Sequence, residues 1–174
     1  MKTASVSEIK QELNNASSKE LLALCLRLVK FKKNNKELLN YLLFEANDLP
    51  TYIKNIKAEI DEQFTQINHT NLYFAKKSLR KILRTINKYI KYTASKETEV
   101  ELLIYFCNKI KSSGIKINKS TALTNLYNNL IKKIKAVTAT LHEDLQHDYN
   151  KEIDQLFIKE DSFITTLSRK LLNK

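Results

Sequence analysis

The chain has 174 residues and a formal net charge of +11; 43% of its residues are hydrophobic, and glycine and proline occur once each. This length and hydrophobic content can bury a core without disulfides or metals, which argues against intrinsic disorder. Because sheet proteins use glycine and proline in hairpins and bulges, the composition also argues against a β fold. We predict one all-α domain over residues 1–174, an irregular bundle or short stacked array of αα-hairpins with about seven or eight helices.

Two serine-capped helices open the chain. Ser5 or Ser7 begins the first helix, whose apolar residues fall on one side. Ser17 or Ser18 begins the second helix, SSKELLALCLRLVKF. This second segment has almost no polar face, and a helix that is apolar nearly all round is typical of a buried position.

The third segment, NNKELLNYLLFEAN, has the same leucine-rich character and begins at Asn34 or Asn35. We predict that it pairs with the second helix as the central hairpin of the fold. Four leucines are expected to be almost fully buried there: Leu24, Leu28, Leu42 and Leu43. Truncating a buried leucine removes transfer free energy and leaves a cavity, so Leu28→Ala is expected to destabilise the protein by about 2–5 kcal/mol.

The middle of the chain shows three clear helix boundaries. Asp48 caps LPTYIKNIKAEIDEQFTQIN, where Pro50 is tolerated because first-turn N–H groups have no helical partner. The next helix is predicted over residues 71–93. Ser95 caps the one after it, which we predict to stop at Gly114, because glycine readily adopts the left-handed conformation that ends a helix.

Apolar residues keep a helical period from Ser120 to about residue 158, with no glycine or proline between them. We predict one long helix over this C-terminal half, with a break near His147 as the alternative. Such a helix would extend past the bundle, expose its apolar stripe and support a homodimer. A short final helix, capped by Asp161 or Ser162, completes the prediction.

Positive charge is concentrated in the middle of the chain. Residues 63–142 contain 15 Lys and Arg against three acids, which leaves +12, and residues 72–96 contain eight Lys and Arg with no acid. On a helical wheel the cations of this stretch lie opposite an apolar stripe. Seven residues form the candidate polyanion-binding face: Lys76, Lys77, Arg80, Lys81, Arg84, Lys88 and Lys91. A solvated face is the structural alternative, because lysines stay on the surface by default.

No catalytic or cofactor motif is found. A single glycine cannot build a phosphate-binding loop. His142 and His147 stand one residue too far apart to chelate one ion from a straight helix, so we predict no metal site. Cys25 and Cys107 are interpreted as two reduced core residues. We predict no enzymatic activity, no cofactor and no catalytic residue.

Binding is therefore the predicted function. The first hypothesis is a non-catalytic helical interaction or scaffold protein whose partner is another protein. The alternative is a nucleic-acid-binding protein that uses the basic 72–96 helix. Attachment to a membrane surface is a third hypothesis, which would require the apolar side of the same helix to be exposed. The N-terminus has no apolar signal region and no apolar run approaches the ~20 residues of a membrane span, so a cytoplasmic location is expected.

Overall fold

The computed structural model describes residues 2–157, and within that range the chain is all-α, with eight α-helices and no strand. The all-α class and the number of helices are confirmed. By its internal contacts the chain divides into two compact units, Met1–Asn47 and Asp48–Lys174. The single domain inferred from the length of the chain stays a prediction.

The N-terminal unit consists of short helices with strong local caps. These are α1 (Val6–Asn15), α2 (Ser18–Phe31) and α3 (Lys33–Asn40), the last running into a π-helical turn over Tyr41–Glu45. Ser5 and Ser17 each form a capping box with the glutamate three residues later, which satisfies first-turn N–H groups at both helix starts. Helix α3 begins without a side-chain cap, at Lys33 rather than at the predicted asparagines.

The predicted burial of this hairpin is wrong. Leu24, Leu28, Leu42 and Leu43 are 44%, 58%, 54% and 60% exposed. Tyr41 is the one residue classed as buried among the described residues of this unit. Helices α2 and α3 pack on each other, but two short helices can cover only one side of each, so the remaining apolar faces stay in solvent.

The C-terminal unit holds the core of the described chain. Its helices are α4 (Leu49–Thr65), α5 (Leu72–Thr93), α6 (Lys96–Ser112), α7 (Thr121–Thr138) and α8 (Glu143–Leu156), with a 3-10 turn over Ile117–Lys119. Helix α6 contacts α4, α5, α7 and α8. Eight of its 17 residues are buried, including Leu102, Leu103 and Phe106 at 0% exposure. Helix α6 is therefore the central element of this unit.

Two helices in this unit end on left-handed residues. Gly114 has φ +73° just after α6, which confirms the predicted stop. Ala94 has φ 48° at the end of α5, where its N–H donates to the carbonyl of Ile90. An alanine in this conformation carries roughly 1–2 kcal/mol of backbone strain that glycine would avoid.

The single long helix predicted from Ser120 onward is wrong. Helix α7 ends at Thr138 and α8 begins at Glu143, so the break lies before the predicted alternative near His147. Thr140 contributes to the stop because its hydroxyl donates to the carbonyl of Val137 at 2.7 Å. The break lets α8 fold back on α6 and α7, and the apolar stripe expected to overhang is largely buried.

Helix α8 closes the core by two kinds of contact. Ile153 and Leu156 are 1% and 0% exposed. The buried hydroxyl of Tyr127, on α7, donates to the carbonyl of Leu156 at 2.8 Å. The predicted final helix capped by Asp161 or Ser162 lies outside the described residues.

Candidate functional site

All seven residues of the candidate polyanion-binding face lie on α5, which Asn71 caps by accepting from the N–H groups of Tyr73 and Phe74. The opposite side of the helix is buried in the core: Ala75, Leu79, Ile82, Ile86 and Ile90. Five of the seven cations are exposed, and Lys76 and Lys88 are half-buried. Because the apolar side of α5 is buried in the core, the basic face on the opposite side of the helix points to solvent.

The cations of α5 differ in their electrostatic surroundings from three lysines on the neighbouring helices, each of which has an acidic partner. Lys57 on α4 pairs with Glu101 on α6 at 2.6 Å. Lys109 pairs with Asp61 at 2.8 Å, and Lys133 pairs with Glu99 at 2.6 Å. Helix α5 itself contains no acid. Within residues 2–157, six of the seven candidate cations have no ion-pair partner: Lys76, Lys77, Arg80, Lys81, Arg84 and Lys91.

A surface groove of ≈ 620 Å³ runs along this face. It is lined by Tyr73, Lys76, Lys77, Arg80, Leu83, Arg84 and Asn87. Tyr73, at its N-terminal end, is 64% exposed; the adjacent Phe74 is 51% exposed, and the centroids of the two rings lie 5.5 Å apart. The Nζ of Lys76 lies 5.6 Å from the centroid of the Tyr73 ring. The groove therefore combines cations with an exposed aromatic surface.

The sequence reasoning missed these two aromatics. Aromatic side chains on the apolar stripe of a helix are expected in the core, where Phe64 and Phe106 do lie, whereas Phe157 is exposed. The signal was present in the helical wheel. At about 100° per residue, Tyr73 falls on the same side as Arg80 and Arg84 rather than on the apolar stripe.

The N-terminal unit carries a second groove, which is apolar. It has a volume of ≈ 270 Å³ and is lined by Cys25, Leu28, Val29, Asn35, Leu38, Leu39 and Leu42. The side-chain amide of Asn35 donates to the carbonyl of Leu28 at 2.9 Å and holds the turn between α2 and α3. Cys25 is exposed, so its predicted place in the core is wrong, whereas Cys107 is buried as predicted.

The acid–base contacts of the C-terminal unit join helices that are distant in sequence. The hydroxyl of Tyr105 donates to Asp61 Oδ1 at 2.6 Å, and Lys109 pairs with the same oxygen. Burial, together with the hydrogen bond to Asp61, raises the pKa of Tyr105 to about 12. Partial burial works to raise the pKa of Asp61, but the hydrogen bonds from Lys109 and Tyr105 prevail and lower it. This cluster fastens α4 to α6.

The histidines form no metal centre in the part of the chain that the structure describes. His142 Nδ1 lies 3.4 Å from Asp144, and both side chains are exposed. Across residues 2–157, no three His, Cys, Asp or Glu side chains are grouped so that they could hold a metal ion.

No family model matches the chain, and neither the curated proteins nor the solved structures include one that is significantly similar to it. Among the described residues, no helix combines the length and the apolar character needed to cross a membrane.

Proposed function

We propose that the chain is a non-catalytic helical interaction protein that binds another protein through its N-terminal unit. The observation that carries this proposal is the exposure of large apolar side chains within residues 6–44. Eleven of them are between 40% and 84% exposed: Val6, Ile9, Leu13, Leu22, Leu24, Leu26, Leu28, Phe31, Leu42, Leu43 and Phe44. Apolar surface of this extent on a small unit is typical of an interaction site.

The amount of apolar surface is sufficient for a specific interface. At about 100 Å² per large side chain, eleven chains somewhat more than half exposed present about 600 Å². A standard interface buries about 800 Å² per partner, of which roughly 60% is apolar. The exposed apolar surface of this unit is therefore comparable with that of an interface of ordinary size, and α1 and the α2–α3 groove contribute Val6, Ile9, Leu13, Leu28 and Leu42 to it.

The proposed occupant is a second copy of this chain, with α1 of each copy lying in the α2–α3 groove of the other. Val6, Ile9 and Leu13 are spaced i, i+3 and i+7, which is the anchor pattern of an amphipathic helix that docks in an apolar groove. All three are exposed within their own chain. The chain therefore carries both a groove and a helix suited to it, and reciprocal exchange gives a closed two-fold dimer.

Charge supports the same pairing. Helix α1 carries Glu8 and Glu12 against one lysine, Lys10. Three lysines lie where α2 meets α3: Lys30 in the last turn of α2, Lys32 between the helices and Lys33 at the start of α3. Attraction between an acidic helix and a basic turn orients an encounter, while the apolar contacts supply the affinity.

The test is the mass of the protein in solution, measured by analytical ultracentrifugation from below to well above micromolar concentration. We expect the wild type to dimerise and the single variants Ile9→Lys and Leu28→Lys to stay monomeric. Both side chains are partly exposed, so the helical circular-dichroism signal should be retained. Ala58→Lys places the same charge at an exposed position on α4 and should dimerise as the wild type does.

Mixing the two variants tests the reciprocal geometry. Ile9→Lys keeps an intact groove and Leu28→Lys keeps an intact α1, so one undamaged contact forms only in the mixed pair. We expect the mixture to associate more strongly than either variant alone. A wild type that is monomeric throughout overturns the second copy as the occupant. If the wild type is monomeric and also binds no more of an apolar dye than the Leu28→Lys variant does, the proposal that this surface is an interaction site is overturned as well.

A further inference from the structure

On the basic face of α5, which is the second exposed surface, several side chains are aligned parallel to the helix axis. At about 100° per residue, Tyr73, Lys77, Arg80, Arg84 and Lys91 fall within roughly 60° of one another on the helix. From residue 73 to residue 91 this row extends for about 27 Å at 1.5 Å per residue. The charges of this row are three, four and seven residues apart, which is one or two helical turns, and such a row matches a linear polyanion better than a single compact anion.

These charges are available to a ligand. Lys77, Arg80, Arg84 and Lys91 are exposed and have no acidic partner in residues 2–157. Glu59 on α4 accepts a hydrogen bond from the hydroxyl of Tyr89 on α5 at 2.6 Å, so this contact of α5 with an acid does not use any of the four cations. Binding of a polyanion would therefore release counterions from these four cations, and no ion pair that they form within residues 2–157 would have to break first.

The exposed aromatics distinguish between kinds of polyanion. Tyr73 stands at one end of the row, beside Phe74, and both rings are more than half exposed. Unpaired bases stack on such rings, whereas the bases of a duplex are already stacked on each other. Only two of the seven cations are arginine, so the bidentate contacts that read duplex base edges are scarce.

The burial of α5 argues against a membrane surface as the ligand. An interfacial helix inserts its apolar side between lipids. In this protein that side is occupied by the core, with Leu79 and Ile86 fully buried. What remains exposed is a cationic row with an aromatic end.

We propose that the α5 groove binds single-stranded nucleic acid without sequence specificity. The phosphates follow the row of Lys77, Arg80, Arg84 and Lys91, and one base stacks on Tyr73, at the end of the groove. This site belongs to the C-terminal unit and does not depend on the interaction proposed for the N-terminal unit.

The binding experiment uses a labelled mixed-sequence single strand of 20 nucleotides, the same strand annealed to its complement, and vesicles rich in phosphatidylserine. Fluorescence anisotropy should show tighter binding to the single strand than to the duplex. Its affinity should fall with salt at a log–log slope of about −0.7 per phosphate contacted, and so near −3 for four contacts. Arg80→Glu/Arg84→Glu should reduce affinity more than tenfold.

Matched variants separate stacking from charge. Tyr73→Ala should weaken single-strand binding by roughly 5- to 150-fold, the range found for loss of one stacked base, while Tyr73→Phe retains it. Lys116→Glu/Lys119→Glu makes the same charge change at exposed positions near the 3-10 turn and should have little effect. The helical circular-dichroism signal and thermal midpoint should be unchanged in every variant, because these side chains are exposed.

Three results would overturn the proposal. The first is no salt-sensitive binding to the single strand at low ionic strength. The second is equal affinity for strand and duplex, with Tyr73→Ala behaving as the wild type, which would indicate a charge-only surface. The third is binding to the vesicles alone, which would assign the groove to anionic lipid.

Discussion

Helices α2 and α6 each contain a run of six hydrophobic residues, LLALCL and LLIYFC, yet the surroundings of the two runs are opposite. Helix α6 is contacted by four helices of its unit, and Leu102, Leu103 and Phe106 are fully buried. Helix α2 packs on α3 and leaves Leu22, Leu24, Leu26 and Leu28 substantially exposed. Apolar content thus sets how much surface a helix can bury, while the number of neighbouring elements sets how much it does bury.

The largest expected difference between the two units is in thiol reactivity. Cys25 on α2 is exposed, and Cys107 on α6 is buried, which raises its pKa to about 12. Relative to an ordinary thiol pKa of 9.0, that shift leaves about a thousandfold less thiolate in Cys107, and folding also blocks access. Iodoacetamide should label one thiol per chain in the native protein and two in denaturant, as counted by mass spectrometry. Equal native labelling would contradict the assigned burial.

A pair of leucine truncations tests the comparison by stability. Leu103→Ala on α6 should lower the free energy of unfolding by about 2–5 kcal/mol, because it leaves a cavity in a closed core. Leu28→Ala should lower it by less than about 1 kcal/mol, since the side chain is more than half exposed. Urea denaturation followed by far-UV circular dichroism measures both. If Leu28→Ala is as damaging as Leu103→Ala, the N-terminal hairpin is buried after all.

Two matched caps test whether the units unfold together. Ser17 caps α2 and Ser95 caps α6, and replacing either with alanine should remove about 1 kcal/mol. Ser17→Ala should speed amide exchange about fivefold in α1–α3 only, and Ser95→Ala in α4–α8 only. Hydrogen-exchange mass spectrometry resolves the two groups of helices. Exchange that accelerates throughout the chain for both variants would instead support the single domain predicted from length.

The smallest expected effect concerns the ion pairs between helices. Because the pKa of Asp61 is lowered, its carboxylate contributes stability above its unfolded pKa and loses that contribution as the pH falls through the folded pKa. The pair is partly exposed, so Asp61→Asn should cost only about 0.5 kcal/mol at neutral pH. The difference from the wild type should vanish at a pH below the folded pKa of Asp61. A difference that persists in acid would show that the loss is not electrostatic.

Three helix boundaries were predictable because their causes are local. Ser17, Ser95 and Gly114 act on N–H and C=O groups within one turn, so a short stretch of sequence contains the whole signal. The burial of α2 was not predictable in this way. Its periodicity shows which residues avoid water but contains no information on how many helices are near enough to cover them.

The break after Thr138 was missed for a related reason. Leu141 and Leu145 continue the helical period through the break, and neither glycine nor proline marks it. The hydrogen bond of Thr140 contributes locally to the break, while the packing of Ile153 and Leu156 against the core, which favours the separate helix α8, is a long-range effect. The cations of the candidate polyanion-binding face were predictable from a helical wheel. The exposure of Tyr73 and Phe74 was seen only in the structure.

The hydrogen bond from Tyr127 to the carbonyl of Leu156 defines how far the chain can be shortened. Cleavage before Ile153 would remove two fully buried side chains and leave the Tyr127 hydroxyl without its acceptor at a site that is 3% exposed. An unmet buried donor costs about 1–3 kcal/mol in addition to the lost apolar contacts. A protease-resistant fragment of the C-terminal unit should therefore retain Leu156, and digestion that trims past this residue should melt the whole unit rather than only its last helix.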